Sequence, residues 1–249
     1  MSKIENMSDA LVIIPTFNEI ENIELLIVNI FSLPREFNIL VVDDNSPDGT
    51  ANVVQLLIGK YKNRLFLEQR EGKLGLGTAY IHGFKWALER DYEYIFEMDA
   101  DFSHNPNDLI RLYKACANQD FDMSIGSRYK TGVNVVNWPM GRVLMSWLAS
   151  KYVRLITGLS ICDTTAGFVC YKRAVLEKIN LNKIQFVGYA FQIEMKFKTH
   201  LNKFKIIEVP IIFTDRTRGE SKMNGGIISE AIFGVIKMKF NSLFTKYDI

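Results

Sequence analysis

Residues 94–101 read Tyr94-Ile95-Phe96-Glu97-Met98-Asp99-Ala100-Asp101, a short apolar run that stops at two carboxylates spaced i and i+2. The run is too brief for a helix and shows little alternation, which is the pattern of a strand buried on both faces. The same shape recurs on either side of it. Strands are expected at Ala10–Pro15, Asn38–Asp43, Leu65–Gln69, Glu93–Met98 and Asp122–Gly126. Amphipathic, helix-like segments separate them near Glu19–Phe31, Thr50–Tyr61, Gly75–Arg90 and Pro106–Asn118. This alternation predicts an α/β fold, a mostly parallel sheet flanked by helices. Right-handed crossovers then leave a ligand crevice at the carboxyl ends of the strands, where Asp99 and Asp101 fall.

Beyond Arg128 the alternation stops. A loop (Lys130–Pro139) leads to a helix over Met140–Thr157, a strand over Phe168–Lys172 and a helix over Tyr189–His200. A strand over Ile206–Thr214, a polar loop and a final apolar helix from about Ile227 complete the chain. Embellishment of one domain across 1–249 fits this better than two domains.

Composition narrows the class. The 249 residues are 48% hydrophobic, enough for one large core, and 30 basic against 28 acidic residues leave a net charge of +2. That balance provides no global field for nucleic acid. Cys116, Cys162 and Cys170 lack zinc-ligand or disulfide-framework spacing and read as reduced thiols. The apolar run Ala10–Pro15 is too short for a signal segment, and no stretch reaches 18 uncharged apolar residues, so a soluble or peripheral protein is expected.

Two carboxylates just past a strand end suit a hard divalent cation, magnesium or manganese, shared with a substrate's phosphates. Such an ion would offset charge on a departing nucleoside diphosphate. The first two strands also end in polar residues, Pro15-Thr16-Phe17-Asn18-Glu19 and Asp43-Asp44-Asn45-Ser46-Pro47-Asp48-Gly49-Thr50. Asp44 suits the N–H edge of a base or ribose hydroxyls, and Phe17 can lie against a base. Ser46–Thr50 reads as a plain turn with Thr50 capping the next helix. Gly72-Lys73-Leu74-Gly75-Leu76-Gly77-Thr78 matches no phosphate-loop spacing; it serves equally as a helix entry needing small residues, and no ligand is assigned to it. Arg128 ends the fifth strand, and Arg142 and Ser146 lie four apart on one helix face. Guanidinium and hydroxyl donors of this kind suit phosphate oxygens. Arg216 and Lys222 lie in a polar loop, Asp215–Lys222, that could close over a diphosphate. The helices at Met140–Thr157 and Ile227–Phe244 carry apolar, aromatic and basic residues and could lie along a membrane surface. His82, His104 and His200 have no ligand spacing and read as structural.

Taken together, P-T-F-N-E, V-V-D-D-N-S-P-D-G-T, K-L-G-L-G-T-A-Y-I-H-G, D-A-D-F-S-H-N-P, G-S-R-Y and D-R-T-R-G-E-S-K-M resemble the dolichol-phosphate mannosyltransferases, or polyprenol monophosphomannose synthases. These are inverting family-2 glycosyltransferases of the GT-A fold, and the likeness spans about residues 11–240. It implies transfer of mannose from GDP-mannose to a polyprenyl phosphate, dolichyl or undecaprenyl. It implies donor contacts from Pro15, Phe17, Glu19, Val42, Asp44, Asp99, Ala100, Asp101, Arg128, Arg216 and Lys222. Metal (Mg2+ or Mn2+) would be coordinated by Asp101, aided by Asp99 and Ser103. Ser103 stands where some relatives carry glutamine, which makes a water-bridged contact plausible there. Arg128, Arg142 and Ser146 fall where the family binds the acceptor phosphate, and Asp101 and Arg128 would carry catalysis. The resemblance places a nucleotide-binding half at 10–128 and an acceptor- and membrane-facing half at 129–249. It implies a cytoplasmic protein, peripheral at the membrane's cytoplasmic face. The base position of inverting relatives falls near Glu194, read here as structural or as a sugar-hydroxyl contact. UDP-glucose as donor, phosphohydrolase chemistry and a non-enzymatic nucleotide-binding role are the rival readings.

Overall fold

The computed structural model describes residues 8–216 and 226–244, the side chains of Tyr189, residues 226–232 and Phe244 excepted. Strand β1 (Ala10–Thr16) is apolar almost throughout because both its faces are covered. Leu11 and Ile13 join one hydrophobic layer, and Ala10, Val12 and Ile14 join the other. Helices α1 (Ile23–Phe31), α2 (Thr50–Lys60) and α4 (Asp108–Ala117) cover the second face through Leu26, Val54 and Leu112. Helices α3 (Leu76–Leu88), α5 (Met140–Thr157), α6 (Arg173–Lys178), α7 (Tyr189–Leu201) and α8 (Gly226–Phe244) cover the first, through residues such as Phe84, Val153, Val175, Phe191 and Val235.

The remaining strands of the main sheet are β2 (Asn38–Asp43), β3 (Leu65–Gln69), β4 (Tyr94–Glu97), β5 (Met123–Ser127), β7 (Val169–Lys172) and β8 (Ile206–Pro210). Their order is β3-β2-β1-β4-β7-β5-β8. All pairings are parallel except those of β7, which runs antiparallel to both β4 and β5. The α/β, mostly parallel architecture expected from the sequence is therefore the one observed, with one reversed strand that an apolar run could not reveal. The reversal has a direct effect on the site. It brings the loop preceding β7 to the edge of the sheet where β4 and β5 end.

The strand expected over Ile206–Thr214 is broken in two. Pro210, which has no N–H to donate, closes β8, and β9 (Phe213–Thr214) pairs instead with β6 (Val135–Val136) in a small second sheet. Asp215 N–H extends that pairing to the Val136 carbonyl at 3.0 Å. The two residues that follow β9, Asp215 and Arg216, are thereby laid over the carboxyl edge of the main sheet.

Candidate active site

Asp99 and Asp101 leave the end of β4 in opposite environments. Phe102 takes a left-handed backbone (φ 60°), a strained state for a bulky residue, and turns the chain so that Ser103 folds back on Asp101. Ser103 donates to Asp101 Oδ1 through its N–H (3.1 Å) and Oγ (2.6 Å). The other oxygen, Oδ2, faces the Arg216 guanidinium at 3.1 Å. Ser103 in this structure is a donor that orients a carboxylate. Asp99 accepts from the Tyr80 hydroxyl at 3.4 Å, and its side chain is 33% exposed. Burial, then the charge of Asp101, pushes its carboxyl up to about 7 against the pull of Arg216, although solvent at the exposed third moderates the shift. His104 lies under this turn, stacked on Phe168 at 4.7 Å between ring centroids. Its Nδ1 accepts the Asp99 N–H at 3.3 Å, which assigns the ring proton to Nε2. Burial lowers its pKa to about 4, so the ring is neutral, and the structural role expected of it is the one seen.

Two further segments complete this wall. Arg128, at the end of β5, is clamped by the fully buried Asp163: Nε donates to Oδ2 at 2.7 Å and Nη2 to Oδ1 at 2.6 Å, while the backbone N–H adds a third bond at 2.9 Å. Burial alone would raise the Asp163 carboxyl, but Arg128 holds it below the ordinary range. Asp163 and Thr165, which also accepts from Arg128 at 2.8 Å, lie in the loop delivered by the reversed β7. Across the site Arg142 on α5 reaches both oxygens of Asp215 at 3.0 Å and stacks over the Trp138 ring at 4.1 Å. Ser146 lies one turn further along α5. Asp99, Asp101, Arg128, Arg142, Ser146 and Arg216 all line one cavity of about 520 Å3. Its other wall is apolar, formed by Met145, Leu148, Tyr152 and Val153 of α5 with Ile193 and Ile211. Lys222 lies outside the described residues.

Pro15, Phe17, Glu19, Val42 and Asp44 sit at the neighbouring ends of β1 and β2, where Pro15 and Val42 are register partners, and do not line that cavity. Phe17 is half-buried, with the Lys73 ammonium 5.1 Å from its ring centroid. The adjacent carboxylates Asp43 and Asp44 both have partners. Asp43 accepts from Thr16 (2.8 Å) and Ser46 (2.6 Å). Asp44 accepts from Arg70 at 2.6 Å, and Arg70 also reaches Thr78 at 2.7 Å. The turn cap is likewise Asp48 rather than Thr50, whose own N–H and hydroxyl donate to it. In the glycine-rich segment two positions are packed closely. A Cβ on Gly77 would meet the Phe191 ring at 2.8 Å, and Gly75 lies at φ 102° against Val187.

Residues 11–180 match Glycosyl transferase family 2. The chain belongs to that family. It is 46% identical over 225 residues to a polyprenol monophosphomannose synthase of Mycolicibacterium smegmatis, covering 90% of this chain and 84% of that one. It is 44% identical over 227 residues to an undecaprenyl-phosphate mannosyltransferase of Micrococcus luteus, covering 91% and 92%. Among solved structures, glucosyl-3-phosphoglycerate synthase from Mycobacterium tuberculosis superposes with a TM-score of 0.65 at 15% identity, over 95% of this chain and 80% of that one. The mannosyltransferase PcManGT of Pyrobaculum calidifontis, in complex with GDP-Man and Mn2+, gives 0.60 at 17% identity, over 96% and 65%. At those identities the likeness establishes the fold, the GT-A-type sheet expected from the motifs.

This family-2 glycosyltransferase fits a divalent cation on the chemistry of its donors. Asp99 and Asp101 both line the cavity and offer the hard oxygen donors such an ion takes, while the Arg216 guanidinium occupies Asp101 Oδ2 in this structure. Among the described residues no group of three His, Cys, Asp or Glu side chains is placed to hold a metal ion. Glu194 narrows the sequence reading to one of its two roles. Its buried carboxylate accepts from the N–H groups of Gln185 (2.9 Å) and Phe186 (3.1 Å) and pairs with Lys198 at 3.4 Å, away from the cavity. The geometry therefore leaves it the structural role and removes the sugar-hydroxyl one. Among the described residues, the polar α7 side chain that lines the cavity is Gln192, an amide that accepts no proton at neutral pH.

Proposed function

We propose that this glycosyltransferase moves mannose from GDP-mannose to a polyprenyl phosphate, with inversion, at the cytoplasmic face of a membrane. The observation that carries the reading is the composition of this cavity: carboxylates and arginines on one wall, an 18-residue helix with an apolar flank on the other. A phosphate monoester on a hydrocarbon chain matches both walls at once. The printed activities of the relatives at 46% and 44% identity support the same assignment.

In this reading the 10–128 half holds the nucleotide, with Asp44 and Phe17 at the base and ribose. Pro15, Glu19, Val42 and Ala100 line its path, and Arg216 and Lys222 are the proposed diphosphate contacts. Magnesium or manganese, held by Asp101 and Asp99 together with the donor's phosphates, supplies charge neutralisation for the leaving nucleoside diphosphate. Ser103 fixes the Asp101 carboxylate in place through its two hydrogen bonds. Arg128, rigid against Asp163, and Arg142 with Ser146 orient the acceptor phosphate for attack. That phosphate is largely ionised near neutral pH, so its oxygen attacks the anomeric carbon with no proton to lose. An amide on the facing helix in place of a carboxylate is consistent with base-free attack.

Two helices give the membrane contact. On α5, Met140 (79% exposed), Leu144, Leu148 and Leu155 (83%) form a stripe that includes Lys151. On α8, Phe233 (73%), Ile236, Phe240 and Leu243 form a second beside Lys237. Among the described residues no helix is long and apolar enough to cross a membrane, and such stripes suit the interface plane. The test is incubation of purified protein with polyprenyl phosphate, manganese and labelled GDP-mannose, with UDP-glucose in parallel. Label in the organic phase from GDP-mannose is the expected result; label only from UDP-glucose, or none, overturns the donor.

A further inference from the structure

Beneath the cavity lies a buried polar chain that the transfer step leaves unused. Glu97, two residues before Asp99, is fully buried on β4 and accepts from the Tyr171 hydroxyl at 3.1 Å and from Gln192 Nε2. Lys196, one turn along α7 and equally buried, donates to the Gln192 side-chain oxygen at 3.1 Å and to the Ala166 carbonyl at 2.6 Å. An amide between a carboxylate and an ammonium has one possible orientation, nitrogen toward Glu97 and oxygen toward Lys196. Of its two N–H groups and two lone pairs, one of each is engaged in this way, and one of each remains.

The remaining pair has a place to act. A Cβ built on Gly167 would meet Gln192 Nε2, at 3.8 Å, and no other atom within 4 Å. Gly167 and Gln192 line the same cavity as Asp99, Asp101, Arg128 and Thr165; in the proposed reaction the two aspartates face the donor, and Arg128 with Thr165 faces the acceptor. A glycosyl group in transit from leaving diphosphate to attacking phosphate must lie between those two sets. A neutral amide offering one donor and one acceptor matches neighbouring hydroxyls, whereas the flanking arginines match phosphate.

We propose that Gln192, locked by Glu97 and Lys196 and approached over Gly167, is the residue that binds hydroxyl groups of the donor's sugar. This rests on the reading of the cavity as a transferase site for a nucleoside-diphosphate sugar.

The test is calorimetric titration with manganese of GDP-mannose and of GDP, giving the ratio of their affinities in the wild type, Gln192→Met and Gly167→Ala. The charge difference between the two ligands cancels when variants are compared. Each variant is expected to shrink the ratio by roughly three- to tenfold, the loss of one or two neutral hydrogen bonds, with GDP binding unchanged. Gln192→Met also unties Glu97 from Lys196; if circular dichroism shows it misfolded, Gly167→Ala decides alone, since its methyl group fits without a clash. An unchanged ratio in the folded variants, or GDP weakened as much as GDP-mannose, overturns the proposal. UDP and UDP-glucose run in parallel keep the two questions apart. A wild type that prefers them overturns the donor, and the ratio read on that pair still decides the role of Gln192.

Discussion

Asp101 is oriented from one side by Ser103 and neutralised from the other by Arg216. Replacing it with Ala should reduce transfer by more than about a hundredfold, the scale set by losses at groups that merely support metal ligands. The circular dichroism spectrum should remain that of the wild type. Retained turnover would remove Asp101 from the chemistry. Glu194→Gln gives the opposite signature. The change weakens the acceptor for Gln185 and Phe186 and removes the charge facing Lys198, which should cost about 1–3 kcal/mol of stability with kcat unaltered. A collapse of kcat at unchanged Tm would restore a base role. His104 predicts a pH dependence. Its folded pKa lies near 4, below the ordinary 6.5, so the unfolded chain binds a proton that the folded one refuses between those values. Stability is complete above about pH 6.5 and is lost as pH falls toward 4, by roughly 1.4 kcal/mol per pH unit from this group. Urea titrations of wild type and His104→Gln across that window should show the slope reduced in the variant; equal slopes would show that the ring is protonated in the folded state.

At the scale of elements, the five strands of the first half were legible to within one residue at each end, because continuous apolar runs between amphipathic segments admit few other readings. What the pattern lacks is direction, so the reversal of β7 stayed hidden, and with it the loop that carries Asp163 and Gly167 to the site. The six-residue α6 is too short to show a helical period. Long-range partners were equally invisible. Arg70 for Asp44, Asp163 for Arg128 and Asp215 for Arg142 lie 26, 35 and 73 residues from the groups they hold. Asp99, Asp101, Arg128 and Arg142 could be singled out because each stands at a strand end or on a helix face next to one. Gln192 could not, since an amide on an amphipathic helix looks like surface. Gly77 tests the packing reading of the glycine segment. Gly77→Ala drives a methyl group into Phe191 and should cost about 1–3 kcal/mol, seen as a lowered Tm, while nucleotide affinity in the folded protein is kept. Weakened nucleotide binding at unchanged Tm would argue for a phosphate contact.

For the whole molecule, the proposed lipid contact through the exposed stripes of α5 and α8 predicts an attachment separable from folding. Leu155→Glu with Phe233→Glu changes two side chains that are 83% and 73% exposed. Each buries roughly 1.5–3 kcal/mol of apolar surface if it enters lipid. Cosedimentation with anionic vesicles should therefore fall by at least about tenfold, with thermal stability kept. Undiminished cosedimentation would move the contact elsewhere.

The position of β7 also governs how the chain assembles during synthesis. β4 and β5 never touch as partners; residues 169–172 are the wedge between them, and 206–210 cover the outer side of β5. A nascent polypeptide that has left the ribosome only as far as Arg128 thus exposes open hydrogen-bonding edges on both strands, the condition under which unfinished sheets adhere to one another. The gap between them closes only after some forty further residues have emerged, and the outer edge of β5 only after some eighty, so a fragment ending at Arg128 is expected to aggregate rather than bind nucleotide.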